Sequence, residues 1–411
     1  MVATFLLAKQ VLSILAFALV ANAIAVPKVL EARNEAGFVA LDFDVVKASP
    51  EGKEAAAFFS GRRLFKKSNV PVGLLNQGDT YAALVKVGSN KQEVLVSLDT
   101  GSSDFWVVDA DAVCQAEVEC KNDGVFNTSD SSTWQDLSSE FYIEYGDGTT
   151  SQGTWGKDSV ELGGVTINGQ QFGDVTNTSS VQGVLGIGYR AFEVNGADYD
   201  NVPLSLKNQG AIATNAYSLY LNEPGAKTGS IIFGGVDHEK YYGELSLEPI
   251  THPGVVPTIA LSDITYDGTT AVSNNDQSVL LDSGTTVTYL TPSVASQIAA
   301  QAGAYWVDSA DGGYYAIPCH ADLTGNVTYA FAHGAEITVP LSEFVYANDV
   351  SANDGTNNCG WGIQPQLSEP QTVGILGANF LRHAYLVYNL DLNTISLAPV
   401  RYTTASNITS V

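Results

Sequence analysis

Two stretches of this 411-residue chain each carry one acidic residue in nearly the same setting. Val96-Ser97-Leu98-Asp99-Thr100-Gly101-Ser102-Ser103 is matched 183 positions later by Val279-Leu280-Leu281-Asp282-Ser283-Gly284-Thr285-Thr286. Each is a leucine-rich, β-branched run that ends in Asp, a small hydroxyl residue and Gly. Such a run reads as a buried strand delivering a carboxylate to a tight turn, where Gly accepts backbone angles that other residues resist and the hydroxyls bond locally. A single copy would be an Asp turn at a strand end. Two copies, one in each half of the chain, imply a pseudo-twofold arrangement that brings both carboxylates to a shared axis.

Carboxylates that close cannot both ionise, so one keeps a proton while the other loses it. The pair is then an acid and a base in one place. A water between them can give a proton to the ionised Asp while the protonated Asp polarises a carbonyl, which is direct hydrolysis without a covalent intermediate.

The elements that must position such a pair can be read around it. Tyr81 to Gly88 and Gln92 to Ser97 are strand-like runs about a Gly-Ser-Asn hairpin signal. With 39 glycines and frequent Asn and Asp punctuation, helices are few. The clearest are Ser293 to Gln301, after Thr291-Pro292, and a short one near Leu204 to Gln209. Strand after short strand implies packed β layers rather than a parallel α/β sheet.

Two further motifs lie at telling positions. Phe141-Tyr142-Ile143-Glu144-Tyr145-Gly146-Asp147-Gly148-Thr149 is an aromatic strand running into a Gly-rich turn, a hairpin with a mobile tip between the two Asp motifs. It is either an ordinary surface hairpin or a lid that closes over an extended peptide and excludes water. Val184-Leu185-Gly186 reaches its Gly 87 residues after Asp99, and Ile375-Leu376-Gly377 does so 95 residues after Asp282. In both, two apolar residues and a Gly let one segment pass beside the Asp loop with no side chain in the way.

These motifs resemble the pepsin-like aspartic proteases, and among them the secreted yeast enzymes of the candidapepsin type. The resemblance covers nearly the whole chain, from the prosegment-like run at 38–51 to the end. It implies a mostly β, bilobal pepsin-like fold with a central substrate cleft, divided into an N-terminal lobe, 68–255, and a C-terminal lobe, 256–411. It makes Asp99 and Asp282 the catalytic dyad, Thr100 and Ser283 the hydroxyls that tie the two loops together, and Ser102 and Thr285 the hydroxyls on the outer carboxylate oxygens. Tyr145 becomes the flap tip that packs on substrate, hydrogen-bonded by Trp106, with Gly146 and Asp147 offering backbone hydrogen bonds. Gly101 and Gly284 would let the substrate backbone approach the dyad, with Thr285 and Thr286 adding contacts. Glu144 beside the flap tip reads as a solvated strand residue.

The chain ends supply context. Lys9, the apolar run Val11 to Val20 and the small-x-small site Ala21-Asn22-Ala23 read as a signal peptide, 1–23, too short for a membrane span. The segment 24–67 closes with two dibasic pairs, Arg62-Arg63 and Lys66-Lys67, and reads as a propeptide cut by a dibasic-specific processing protease. The first 67 residues hold nine of the 19 basic residues and six of the 44 acidic ones, which leaves 10 basic against 38 acidic in the body. The resemblance implies that this basic prosegment covers the acidic cleft as an inhibitor and is released in acid, as its carboxylate partners protonate. The C-terminal residues 401–411 carry no apolar tail, so no lipid anchor is expected.

Four cysteines, Cys114, Cys120, Cys319 and Cys359, allow three pairings. The resemblance implies the two local ones, each stapling one lobe. Sequons at Asn127, Asn177, Asn326 and Asn407 permit glycosylation.

Other chemistries lack their parts. The five histidines are scattered with no HExxH, there is no GxSxG elbow, and no cofactor or metal is expected. A body with 10 basic and 38 acidic residues would repel nucleic acid. A two-carboxylate glycosidase needs distinct acid and nucleophile settings, unlike these duplicated turns. A non-catalytic peptide binder would not need both Asp motifs and the flap. The expectation is a monomeric, secreted aspartic endopeptidase made as a zymogen, taking polypeptide substrates at acidic pH.

Overall fold

The computed structural model describes residues 70–76, 81–115, 118–272, 277–308, 313–346, 358–367 and 373–411. The expected signal peptide and propeptide lie outside them. The protein is mostly β, in two lobes whose sheets are built from alternating or fully buried strands. Tyr81–Val87 buries nearly every residue, as does Gln92–Asp99 towards its Asp end, and the two pair antiparallel from Ala82↔Ser97 to Val87↔Gln92. A strand covered on both faces needs the apolar, β-branched run that precedes Asp99.

Among the described residues, thirteen strands form one long sheet. At one end are the hairpin strands Gln135–Glu144 and Thr150–Leu162, and at the other Ser246–Pro249 and Thr394–Pro399. Next in from that second end, Ala216–Tyr220 pairs antiparallel with Ala384–Asn389, with Tyr217 opposite Tyr388. That pairing joins the far ends of the two halves into one platform.

A second sheet carries the other Asp strand. Gln277–Leu281 lies between Thr258–Tyr266 and Val373–Leu376, antiparallel to the first and parallel to the second. The first Asp strand has the same environment, antiparallel to Tyr81–Val87 and parallel to Gly183–Gly186. Each Asp thus leaves the end of a strand clamped on both sides.

The helices are slightly displaced from their expected bounds. One spans Pro292–Ala302, with Pro in its first turn and Gly303 closing it at φ 77°. The other spans Val202–Asn208, two residues earlier than the composition indicated, because Asn201 caps it and Pro203 fits the first turn. Among the described residues no helix is long and apolar enough to cross a membrane. The disulfides are Cys114–Cys120 and Cys319–Cys359, the local pairs.

Candidate active site

Both Asp turns are assembled the same way. The Gly101 N–H donates to Asp99 Oδ1 at 2.8 Å, and the Gly284 N–H donates to Asp282 Oδ1 at 2.9 Å. The outer oxygens accept hydroxyls: Ser102 Oγ donates to Asp99 Oδ2, and Thr285 Oγ1 donates to Asp282 Oδ2 at 2.6 Å. Each carboxylate is therefore aimed by one backbone and one side-chain donor from its own turn.

The turns are then locked to each other. The Thr100 N–H donates to Ser283 Oγ at 3.1 Å while the Ser283 N–H donates to Thr100 Oγ1 at 2.9 Å. Each hydroxyl passes its own proton across the axis, Thr100 Oγ1 to the Leu281 carbonyl and Ser283 Oγ to the Leu98 carbonyl, both at 2.8 Å. Both residues are fully buried, so these bonds have no water competing for them.

The glycines show how close the two halves come. A Cβ on Gly101 would stand 2.7 Å from Asp282 Oδ1, and one on Gly284 would stand 2.7 Å from Asp99 Oδ1. Gly186 and Gly377 serve the passing segments: a Cβ there would meet the Asp104 N at 2.6 Å and the Val287 carbonyl at 2.3 Å. The Ile187 N–H donates to the Asp99 carbonyl, and the Asp282 N–H to the Leu376 carbonyl, both at 3.0 Å.

Asp99 and Asp282 are both buried, and each lies where a Cβ on the other turn's glycine would strike it. Burial, and after it the charge of Asp282, pushes the Asp99 carboxyl well above the usual carboxylate range.

The hairpin over the site is longer than its motif, formed by Gln135–Glu144 and Thr150–Leu162. Its tip is closed by the Tyr145 N–H on the Thr149 carbonyl and the Gly148 N–H on the Tyr145 carbonyl, both at 2.9 Å, with Gly148 at φ 83°. Gly146 and Asp147 are exposed, and Asp147 Oδ1 accepts from the Thr149 N–H and hydroxyl. Trp106, fully buried, donates its indole N–H to Tyr145 Oη at 2.8 Å. Burial first and the charge of Asp99 second hold the Tyr145 phenol far above its usual value, so it stays a neutral hydroxyl. Burial, and after it the charge of Asp147, raises the phenol of Tyr289 in the strand after the second Asp turn. The Thr286 carbonyl accepts the Asn379 N–H at 3.1 Å.

A family model described as eukaryotic aspartyl protease matches residues 80–400. The chain belongs to that family. It is 46% identical over 412 residues to Candidapepsin-3 of Candida albicans, covering 98% of this chain and 99% of that one. It is 45% identical over 417 residues to Candidapepsin of Candida tropicalis, covering both chains completely. A third relative, Secreted aspartic protease 8 of Candida albicans, is 45% identical over 427 residues, again covering both completely. The protein is accordingly a secreted aspartic endopeptidase, a hydrolase of polypeptides.

The structure also places around the paired Asp turns residues that no motif announced. Tyr388 donates its hydroxyl to the Leu281 carbonyl at 2.8 Å, the same oxygen that accepts from Thr100, and stacks on Tyr217 with ring centroids 4.8 Å apart. A signal for them was available: Ala216-Tyr217-Ser218-Leu219-Tyr220 and Ala384-Tyr385-Leu386-Val387-Tyr388 form a third repeated string. Of the sequon asparagines, Asn127 donates to Asp130 Oδ2 at 3.0 Å and Asn177 accepts from Gln115 at 2.6 Å, whereas Asn326 and Asn407 are exposed. Among the described residues no three His, Cys, Asp or Glu side chains converge as a metal site.

Proposed function

We propose that Asp99 and Asp282 are the catalytic pair of this endopeptidase and that the protease works in acid on an extended stretch of polypeptide held under the Tyr145 flap. The reading is carried by one observation, the close meeting of two buried carboxyls that are aimed from matching turns. With one proton on the pair, Asp99 is the group pushed towards holding it. A water between the two gives a proton to the ionised carboxylate and attacks the scissile carbonyl, whose oxygen takes a proton from the other carboxyl. In the collapse of the tetrahedral diol the newly protonated carboxyl gives its proton to the leaving nitrogen while a diol hydroxyl gives one to the other carboxylate, so the pair ends as it began.

The remaining roles follow from position. Gly101 and Gly284 leave room beside the carboxylates, and Gly284 is exposed there. Gly146 and Asp147 present backbone groups at the flap tip, and Thr286 lies beside the second turn. Thr285 has its hydroxyl on Asp282, which makes it a support for the carboxylate as well as a neighbour of the substrate. Residues 24–67 are the propeptide of a zymogen, released at Arg63 or Lys67, and the mature lobes divide at 255/256.

The test is digestion of acid-denatured haemoglobin or albumin at about pH 4 by the processed protein, beside Asp99→Asn and with or without pepstatin. Cleavage that both changes abolish is the expected result. Cleavage that survives Asp99→Asn would remove Asp99 from the mechanism.

A further inference from the structure

At the base of the flap hairpin lies a second pair of buried acids that hydrolysis does not use. Asp104 stands where the first Asp turn gives way to the strand Phe105–Cys114, and Glu193 joins two 3-10 turns at 190–192 and 194–196. They are 1% and 6% exposed. Both Asp104 oxygens are engaged from that loop: Tyr199 Oη donates to Oδ1 at 3.0 Å and the Val194 N–H to Oδ2 at 2.9 Å. Glu193 Oε2 accepts the Tyr199 N–H at 3.2 Å, while its buried Oε1 has no hydrogen-bond partner among the described residues. Tyr199 is thus held by both acids. Its ring packs edge-on against Trp155 at 5.2 Å, and Trp155 packs on Phe141 at 4.8 Å. Phe141 and Trp155 belong to the two strands of the flap hairpin, so acids, loop and flap base form one packed unit.

One positive charge, Arg190, acts on Glu193 and lowers its carboxyl, but by less than burial raises it. Arg190, in the same loop, turns its guanidinium to Asp198 and, at 3.2 Å, to Asp200. The other groups facing the acids are Asp198, the Tyr199 phenol, Tyr145 from the flap, and each acid towards the other. Burial raises the Asp104 carboxyl to about 6 against the two hydrogen bonds that lower it. Burial, with a further push from the charge of Asp104, raises Glu193 to about 8. Ionising Glu193 would leave a charged oxygen with no donor, a costly state in an apolar setting.

We propose that Asp104 and Glu193 form an acid-keyed latch: with both carboxyls protonated the 190–199 loop holds the flap base in place, and their ionisation near neutral pH releases loop and flap and disables the protease. Between the unfolded carboxylate value, about 4, and their own raised values, both groups bind more protons folded than unfolded. The stability they contribute is therefore complete below about pH 4 and is lost as pH climbs through about 6 to about 8. The inference rests on the protease reading only for its activity readout.

The experiment holds the processed protein at a series of pH values from about 4 to 9 for a fixed time, then returns it to about pH 4 for assay, with hydrogen exchange followed in parallel. In the parent, exchange should rise first in 141–155 and 190–199, and lost activity should not return. Glu193→Gln should leave turnover at about pH 4 unchanged, move the inactivation midpoint up by about one unit, and slow the loss at neutral pH about tenfold. Asp104→Asn should move it the same way and serves if the first variant does not fold. A midpoint unmoved by either variant, or exchange that begins elsewhere, overturns the latch. So does a shift produced by Asp174→Asn in their place, since Asp174 is a further carboxyl near the flap that burial raises, to about 7. A protein that cleaves nothing at any pH would defeat the catalytic reading while the exchange measurement still decides the latch.

Discussion

Thr100 and Ser283, 183 residues apart, each give a backbone N–H to the other's hydroxyl oxygen, at 3.1 and 2.9 Å. The two Asp turns are thereby one rigid object rather than two loops that happen to meet. Ser283→Ala leaves the buried Thr100 N–H without its acceptor and the Leu98 carbonyl without a donor. Unsatisfied buried groups cost about 1–3 kcal/mol each, so this variant should unfold several degrees lower and lose turnover as the carboxyls drift apart. Thermal unfolding of the Asp99→Asn, Ser283→Ala double variant, which cannot digest itself, measures the stability part cleanly.

Trp106, which packs with Phe141, Ile143 and Trp155 of the flap strands, also donates its indole N–H to Tyr145 Oη. Trp106→Phe keeps an aromatic ring in the core but removes the donor, freeing the Tyr145 hydroxyl. A neutral hydrogen bond is worth about 0.5–1.5 kcal/mol, which corresponds to roughly a threefold to tenfold fall in kcat/KM. The melting temperature should change little. Equal loss in Tyr145→Phe, with no further loss in the double variant, would show that the two act as a unit.

Gly101 is required by the neighbouring half rather than by its own turn. Its backbone is not in the left-handed region, yet a Cβ would lie 2.7 Å from Asp282 Oδ1. Gly101→Ala should therefore wedge the carboxyls apart and reduce turnover by at least about a hundredfold, because a displacement of that order misplaces reacting groups. Circular dichroism and the melting curve should stay close to the parent. A variant that keeps full activity would mean that the pair tolerates separation, and the shared-proton mechanism would not survive that.

The dyad and its braces could be read from the sequence because each turn packs its donors within three residues of its Asp, and because the pattern occurs twice. Gly186 and Gly377 were readable for the same reason, as repeated strings at similar distances from the two aspartates. Asp104, Glu193 and Tyr199 were not, since Asp104 reads as one more residue of the turn and its partners Val194 and Tyr199 lie 90 and 95 positions away. Their meaning comes from burial that outweighs the single nearby cation, Arg190, which no local pattern records. Tyr388 lies between these cases: its string repeats that of Tyr217, but its bond to the Leu281 carbonyl spans 107 residues, and only the pairing of Tyr217 with Tyr388 brings it beneath the two aspartates.

The disulfides differ in how much chain they restrain. Cys319–Cys359 closes 40 residues and Cys114–Cys120 only six. On the chain-entropy account the first contributes about 4 kcal/mol and the second about 2. Replacing Cys319 and Cys359 by serine should therefore lower the melting temperature clearly more than the same change at Cys114 and Cys120. Calorimetry of the two double variants on an Asp99→Asn background makes the comparison, and the reverse order would mean that native-state packing, not loop closure, dominates.

The pH profile of turnover should have a neutral limb set by Asp99, separate from any irreversible change. Its carboxyl is raised by burial and by the charge of Asp282, so the folded protein holds that proton at pH values where an exposed carboxyl has lost it. The proton, and the stability that goes with it, are retained in acid and lost as pH rises towards neutrality. Initial rates measured within seconds of a pH jump isolate this reversible step from slow inactivation. They should fall with rising pH and recover fully on return to acid, whereas longer exposure should not be reversible. Ser102→Ala removes a donor that stabilises the ionised form of Asp99, so it should raise that carboxyl further and move the limb to higher pH. A limb that shifts down instead would place the shared proton on the other side of the pair.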